Sequence, residues 1–198
     1  RMRSKYPLMG IRRKRRGLRR KHLHTAYSQH ACFRSASHVG RWGALATAWA
    51  TLARGGEVAA MTRADVSFHV QAATRSRPER RYAIVWLRPL KKKAGAAQPK
   101  VPQIVPERAA GDLAYTALRR AADVAGKAPR APLFRDGQGR PMTTAALRAF
   151  SRRVAGRLGM PSRLFGAHSA RVGGATDLAA SGRASRLLLQ AKGRWGSD

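Results

Sequence analysis

Residues 166–198 read GAHSARVGGATDLAASGRASRLLLQAKGRWGSD, and this stretch decides how the rest of the chain is read. It opens on His168-Ser169-Ala170-Arg171 and closes on Gly193-Arg194-Trp195. His168 and Arg171 stand three apart, so a helix beginning at Ser169 projects both from neighbouring positions at its entry. A histidine beside an arginine at a helix N-terminus suits a phosphate that must be clamped and relieved of a proton. Such a pair is common by chance, and the remainder of the chain has to decide it. Residues 171–180 and 185–192 read as two helices parted by Gly182. Gly173-Gly174 inside the first costs helix stability, so a close packing or backbone approach is expected there.

Working outward, the charge is the next constraint. Lys and Arg number 41 against nine Asp and Glu, a formal net charge of +32, which predicts a polyanionic partner, nucleic acid above all. A ribosomal-type RNA-binding protein shares that charge. The nine acids (Glu57, Asp65, Glu79, Glu107, Asp112, Asp123, Asp136, Asp177 and Asp198) include no local pair. A two-metal nuclease needs clustered carboxylates, so chemistry on nucleic acid is expected without metal or other cofactor. Cys32 is the one cysteine, which excludes an intramolecular disulfide and suggests a reducing compartment. Its neighbours His22, His24, His30 and His38 match no zinc-finger spacing. No apolar run approaches the ~20 residues of a membrane span, so no membrane partner is expected. The chain does not begin with Met and its basic start lacks a signal-peptide core; it reads as an internal piece of a longer protein.

In chain order, residues 1–39 read as a basic arm or linker, the end of a missing N-terminal DNA-binding domain. The run Arg12-Arg13-Lys14-Arg15-Arg16 cannot pack as a core element and is expected to lie on phosphates, with nuclear localisation or a plain solvated tail as other uses of the same charges. Order is expected from about Gly40. Trp42, Leu45, Trp49 and Leu52 form one apolar helical stripe, stopped by Gly55-Gly56. Arg54 then sits at a helix-to-helix turn near Glu57, with 58–61 a short second helix. Three strands follow at 66–70, 82–87 and 101–105, the last carrying a proline that suits an edge. A hairpin tip holding Lys91, Lys92 and Lys93 joins the last two. It is an ordinary solvated turn unless it lies at a DNA surface. Leu113, Ala117, Leu118, Ala121 and Val124 form the stripe of a further helix. Leu147, Phe150, Val154 and Leu158 form another, capped by Thr143 or Thr144.

This order of parts resembles the catalytic domain of the tyrosine recombinases, the phage-integrase family. Residues 44–66, ALATAWATLARGGEVAAMTRADV, look like the family's first arginine block, with Glu three residues after Arg; HSARVGGATDLAASG looks like its second; GRW looks like its third, in members with Trp where many have His. The likeness covers about residues 40–198 and implies an α+β, mostly helical fold with a small antiparallel three-stranded sheet. It implies Arg54 and Arg171 as clamps on the scissile phosphate, His168 as acid/base, and a hairpin lysine as proton donor to the leaving 5′ oxygen. Lys93 is the first choice for that lysine, with Lys91 and Lys92 left open. Trp195 would donate its indole N–H to a phosphate oxygen, Glu57 would orient the first block, and Arg194 would join Arg12–Arg16, Lys91 and Lys92 on DNA. Two guanidiniums suit the extra negative charge of a pentavalent phosphorane.

The family's nucleophile is a tyrosine shortly beyond the third block. Tyr6, Tyr27, Tyr82 and Tyr115 all precede it, so the sequence reads as cut before the nucleophile, able to bind DNA but not to cleave it. The expected parent is a site-specific recombinase or integrase of a mobile element, acting as a homotetramer on paired double-stranded DNA sites through a 3′-phosphotyrosine, in the cytoplasm (nucleoid) or the nucleus according to host. A type IB topoisomerase-like enzyme shares the chemistry; a catalytically dead DNA-binding remnant shares the fold.

Overall fold

Helix α2 (Ala36–Thr51) is apolar on nearly every side and is the element around which the others pack. The computed structural model describes residues 16–30, 35–88, 99–109, 111–182 and 184–195. Ser35 starts α2 by accepting the His38 N–H on its hydroxyl at 3.2 Å. Trp42 is buried edge-on between Tyr27 and Phe150, with both ring centroids at 5.2 Å. Trp49 is half-buried and sends its indole N–H to Asp177 Oδ2 at 3.0 Å. The Gly55-Gly56 pair does not stop α2, as the sequence suggested. Leu52 ends it in the left-handed region (φ 52°), and the glycines begin α3 (Gly55–Ala59). A Cβ on Gly55 would press to 3.0 Å on the Cβ of Ala167, so glycine lets the loop before His168 lie close without displacement.

The sheet has the anticipated form. β1 (Val66–Gln71), β2 (Arg80–Leu87) and β3 (Val101–Pro106) run antiparallel in the order β1-β2-β3. The registers pair Val66 with Val85 and Leu87 with Val101. Alternation puts Ala83, Val85, Leu87 and Val105 into the core and leaves Trp86 and Ile104 on the open face. Pro102 lies on the edge strand, where a missing N–H costs least.

The two feet of the β2–β3 connection, Arg88 and Lys100, both reach the buried Asp65, at 3.3 and 2.7 Å, and Thr62 donates to it from its N–H and hydroxyl at 2.8 Å each. Burial pushes the Asp65 carboxyl up, but the Lys100, Thr62 and Arg88 donors and charges outweigh it and hold the group below its ordinary 3.8. A carboxyl depressed on folding stabilises fully above the unfolded value and loses that contribution as pH falls below about 3.8. Asp65→Asn is therefore expected to lower the urea midpoint at pH 7, and the gap from wild type should narrow as pH falls through 4. A gap that stays constant would rule out the ionised form as the stabilising one.

Helix α4 (Leu113–Ala125) is capped by Asp112, whose carboxylate accepts the Ala114 and Tyr115 N–H groups at 3.1 and 3.5 Å. Its stripe differs at one position: Val124 is 41% exposed, while Ala122 and Ala125 are buried. The buried face centres on Ala114, Leu118, Ala121 and Ala125, so Val124 falls at its margin. Helix α5 (Thr144–Arg157) is capped by Thr143 and buries Leu147, Phe150 and Val154 as the pattern required.

The start of the chain departs most from expectation. Order does not begin near Gly40. Residues 16–19 run beside the loop before His168 and the start of the helix after it, with Arg16 N–H donating to Leu164 O at 3.0 Å and Leu18 N–H to Ser169 O at 2.8 Å. Helix α1 (Arg20–His30) follows, and Leu18, Leu23 and Ala26 enter the core. Its apolar side is only these few residues among many cations, which is why charge masked it in the sequence. Arg12, Arg13, Lys14, Arg15 and Cys32 lie outside the described residues, as do Lys91, Lys92 and Lys93 of the hairpin.

Helix α6 (Ser169–Ala180) explains its own glycines. A Cβ on Gly173 would collide with the Leu18 carbonyl, and one on Gly174 with the Trp49 carbonyl. The pair lets α6 lie against both α2 and the segment before α1. Asp177, one turn on, fastens the same contact through Arg19 Nε at 2.9 Å, the Arg20 N–H and Trp49. Helix α7 (Arg186–Gly193), capped by Ser185, completes the fold.

Candidate active site

The loop 161–168 is fixed before it delivers the histidine and arginine. Arg152 Nε donates to Phe165 O at 3.3 Å, Arg16 holds Leu164, and the Gly166 N–H donates to Ser169 Oγ at 2.9 Å. Ser169 and Ala170 are buried at the start of α6, which leaves His168 exposed at the helix mouth and turns Arg171 inward, 6% exposed. Arg54 stands at the N-terminus of α3, beside the glycine that touches Ala167. Residues far apart in sequence thus meet because Gly55 and the glycines of α6 permit close approach.

A single buried carboxylate organises the cluster. Glu57 Oε1 accepts from Arg54 Nη1 at 3.0 Å; Glu57 Oε2 accepts from the Arg54 N–H at 2.7 Å and from Arg194 Nη2 at 2.6 Å. Arg171 lies close enough to feel all three. Burial first, then the like charges of Arg54 and Arg194, push its guanidinium down to about 10, with Glu57 opposing. It remains a cation at neutral pH. Arg171 Nη2 donates to the Gly193 carbonyl at 2.5 Å, and its guanidinium lies 4.8 Å from the centroid of the Trp195 ring. Arg171 Nη1 and Arg194 Nε are buried without a hydrogen-bond partner among the described residues. Arg54, with a side chain 29% exposed, marks the open side. Three guanidiniums around one carboxylate leave a net positive, partly desolvated site with donors to spare, which is what an oxyanion requires.

Each residue of the Gly-Arg-Trp block has a distinct place. Gly193 gives its carbonyl to Arg171, and a Cβ there would collide with the Trp195 ring folded back over it. Arg194, expected among the DNA-facing cations, instead points inward onto Glu57 with a side chain 11% exposed. The reason is its backbone: at φ 52° it caps α7 in the left-handed region and reverses the side chain toward α3. Trp195 turns its ring face to Arg171 and is 39% exposed. The described tyrosines are engaged elsewhere: Tyr27 on Trp42, Tyr82 stacked on His69 at 5.3 Å, and Tyr115 edge-on to Phe68.

Seven helices among the described residues and one three-stranded antiparallel sheet make this the fold of a tyrosine-recombinase catalytic domain. Among solved structures it is similar to the XerH site-specific recombinase bound to difH substrate in a pre-cleavage complex, with a TM-score of 0.65 and 16% identity over 91% of this chain and 48% of that one. It is also similar to XerH bound to palindromic difH substrate in a post-cleavage complex, at 0.66 and 15% over 92% and 47%. The chain spans about half the length of these recombinase chains. No protein-family model and no curated protein sequence matches it. Among the described residues no helix is long and apolar enough to cross a membrane.

Proposed function

We propose that this chain is the catalytic domain of a site-specific DNA recombinase or integrase that breaks one strand of double-stranded DNA by transesterification onto a tyrosine. The observation that carries this reading is the gathering of Arg54 and Arg171, from the two ends of the domain, close enough for their charges to act on each other, with Arg54 held by the buried Glu57 and one nitrogen of the Arg171 guanidinium unpaired among the described residues. In the step, a tyrosine hydroxyl loses its proton and attacks the phosphorus, the bond to the 5′ oxygen breaks, and that oxygen takes a proton. Arg54 and Arg171 stabilise the charge that accumulates on the non-bridging oxygens. His168, exposed at the mouth of α6, handles a proton, and a lysine among Lys91–Lys93 supplies the other. The nucleophile is carried outside the segments described here, and work on two DNA sites would engage four protomers. The basic run Arg12–Arg16 would lie on phosphates and make binding steeply salt-dependent.

The test is covalent trapping. The full-length protein is mixed with a pool of nicked duplex substrates and resolved on a denaturing gel. A protein–DNA adduct that disappears when the nucleophilic tyrosine is changed to Phe supports the proposal. Tight, salt-sensitive binding with no adduct on any substrate would instead identify a DNA-binding relic. Relaxation of supercoiled DNA lacking any specific site would identify a topoisomerase.

A further inference from the structure

The Gly-Arg-Trp block contains an arginine whose placement the proposed chemistry does not use. Arg194 occupies a left-handed backbone position where helices usually place glycine, a conformation unfavourable for a residue that carries a Cβ. Strain of that kind points to a use for the side chain. What the conformation achieves is visible: Arg194 Nη2 lies 2.6 Å from Glu57 Oε2, Nη1 donates to the Lys192 carbonyl at 3.4 Å, and the side chain is nearly excluded from solvent. Glu57 is the one carboxylate bonded to the cluster and is itself buried. Left to Arg54 alone, it would repel an entering phosphate and compete with it for Arg54.

We infer that Arg194 is a positioning residue for the phosphate site: by occupying Glu57 it offsets the carboxylate, leaving Arg54 and Arg171 a net excess of charge to offer a phosphodiester. The cluster carries three cations against one anion with Arg194 present, and two against one without it. The third block thus reaches the phosphate by two routes, Trp195 packing Arg171 and Arg194 acting through Glu57. This inference rests on the reading of the cluster as a phosphate site.

The probe is inorganic phosphate, titrated at constant ionic strength into the full chain while the side-chain Nε–H resonances of Arg54 and Arg171 are followed by NMR. Arg194→Gln is expected to weaken phosphate binding about five- to tenfold, the scale of one nearby charge in a partly desolvated site, and Arg194→Lys to recover most of the loss. In a Glu57→Gln background the same Arg194→Gln change should weaken binding by clearly less, about two- to threefold, because only the direct charge of Arg194 is then lost and no carboxylate is freed to compete for Arg54. That smaller effect separates action through Glu57 from mere structural support. Equal losses in both backgrounds, or no loss in either, would overturn the inference. Thermal melts establish that each variant is folded; if Glu57→Gln is not, the contrast between Lys and Gln at 194 decides alone, and equal weakening by both overturns the idea. If wild-type resonances do not respond to phosphate at all, the phosphate-site reading fails, an outcome distinct from either result at 194.

Discussion

Gly173→Ala is expected to destabilise the domain by about 3 kcal/mol or more, whereas Gly156→Ala should stabilise it by about 0.5–1 kcal/mol. Both glycines lie within helices, and alanine is intrinsically better there by about 1 kcal/mol. At Gly156 the new methyl meets nothing within 4 Å, so the propensity gain stands alone. At Gly173 it would strike the Leu18 carbonyl, a backbone atom that cannot rotate aside. Relief would require α6 to move off the segment before α1, breaking the Leu18-to-Ser169 hydrogen bond and the Asp177 contacts with Arg19 and Arg20. Urea unfolding of both variants checks the sign as well as the size. A stabilised Gly173→Ala variant would mean that the close approach does not exist in solution.

Arg171→Ala is expected to reduce covalent adduct formation by about 10²–10³-fold or more in a chain that carries the nucleophile, since one preorganised donor to a developing oxyanion is worth that much. Arg171→Lys should recover little, because an ammonium replaces a planar fork with a point charge. Arg54→Ala should fall in the same range, and the double variant should lose less than the product of the two, as groups acting on one charge do. The fold should survive. Burial and the neighbouring cations depress the Arg171 guanidinium to about 10, so below that pH the folded state carries a charged group at a cost, relieved only as pH rises through about 10. Removing the cation removes the cost, against the lost contacts with Gly193 and Trp195. Stability within about 1–2 kcal/mol of wild type, with adduct formation lost, would assign Arg171 to the chemistry. A parallel collapse of stability and activity would assign it to the scaffold.

The site and the fold were legible in the sequence to different depths. His168 and Arg171 could be placed from their spacing and from Ser169 as a helix start, because helix geometry is local. The strands could be placed because alternation reports a half-buried surface. The likeness to tyrosine recombinases named Arg54, Arg171 and Glu57. Their association could be anticipated only in part, since the Arg54–Glu57 pair is local and Arg194's bond to Glu57 is not. Two misreadings have separate causes. Residues 16–30 looked like solvated charge because their few apolar positions matter only once Gly173 admits Leu18. Arg194 looked like a surface cation because a left-handed backbone angle leaves no trace in composition.

What the sequence by itself determined is the inventory: a cationic chain poor in carboxylates, helices with caps, an edge strand marked by proline, and glycines placed inside a helix. What only the tertiary structure decided is which cation faces which partner. Helical period and capping depend on neighbours a few residues away, so they are written along the chain. The direction of a guanidinium depends on a carboxylate 137 residues distant and on glycines that let two backbones touch, and those relations exist only after the chain has closed on itself.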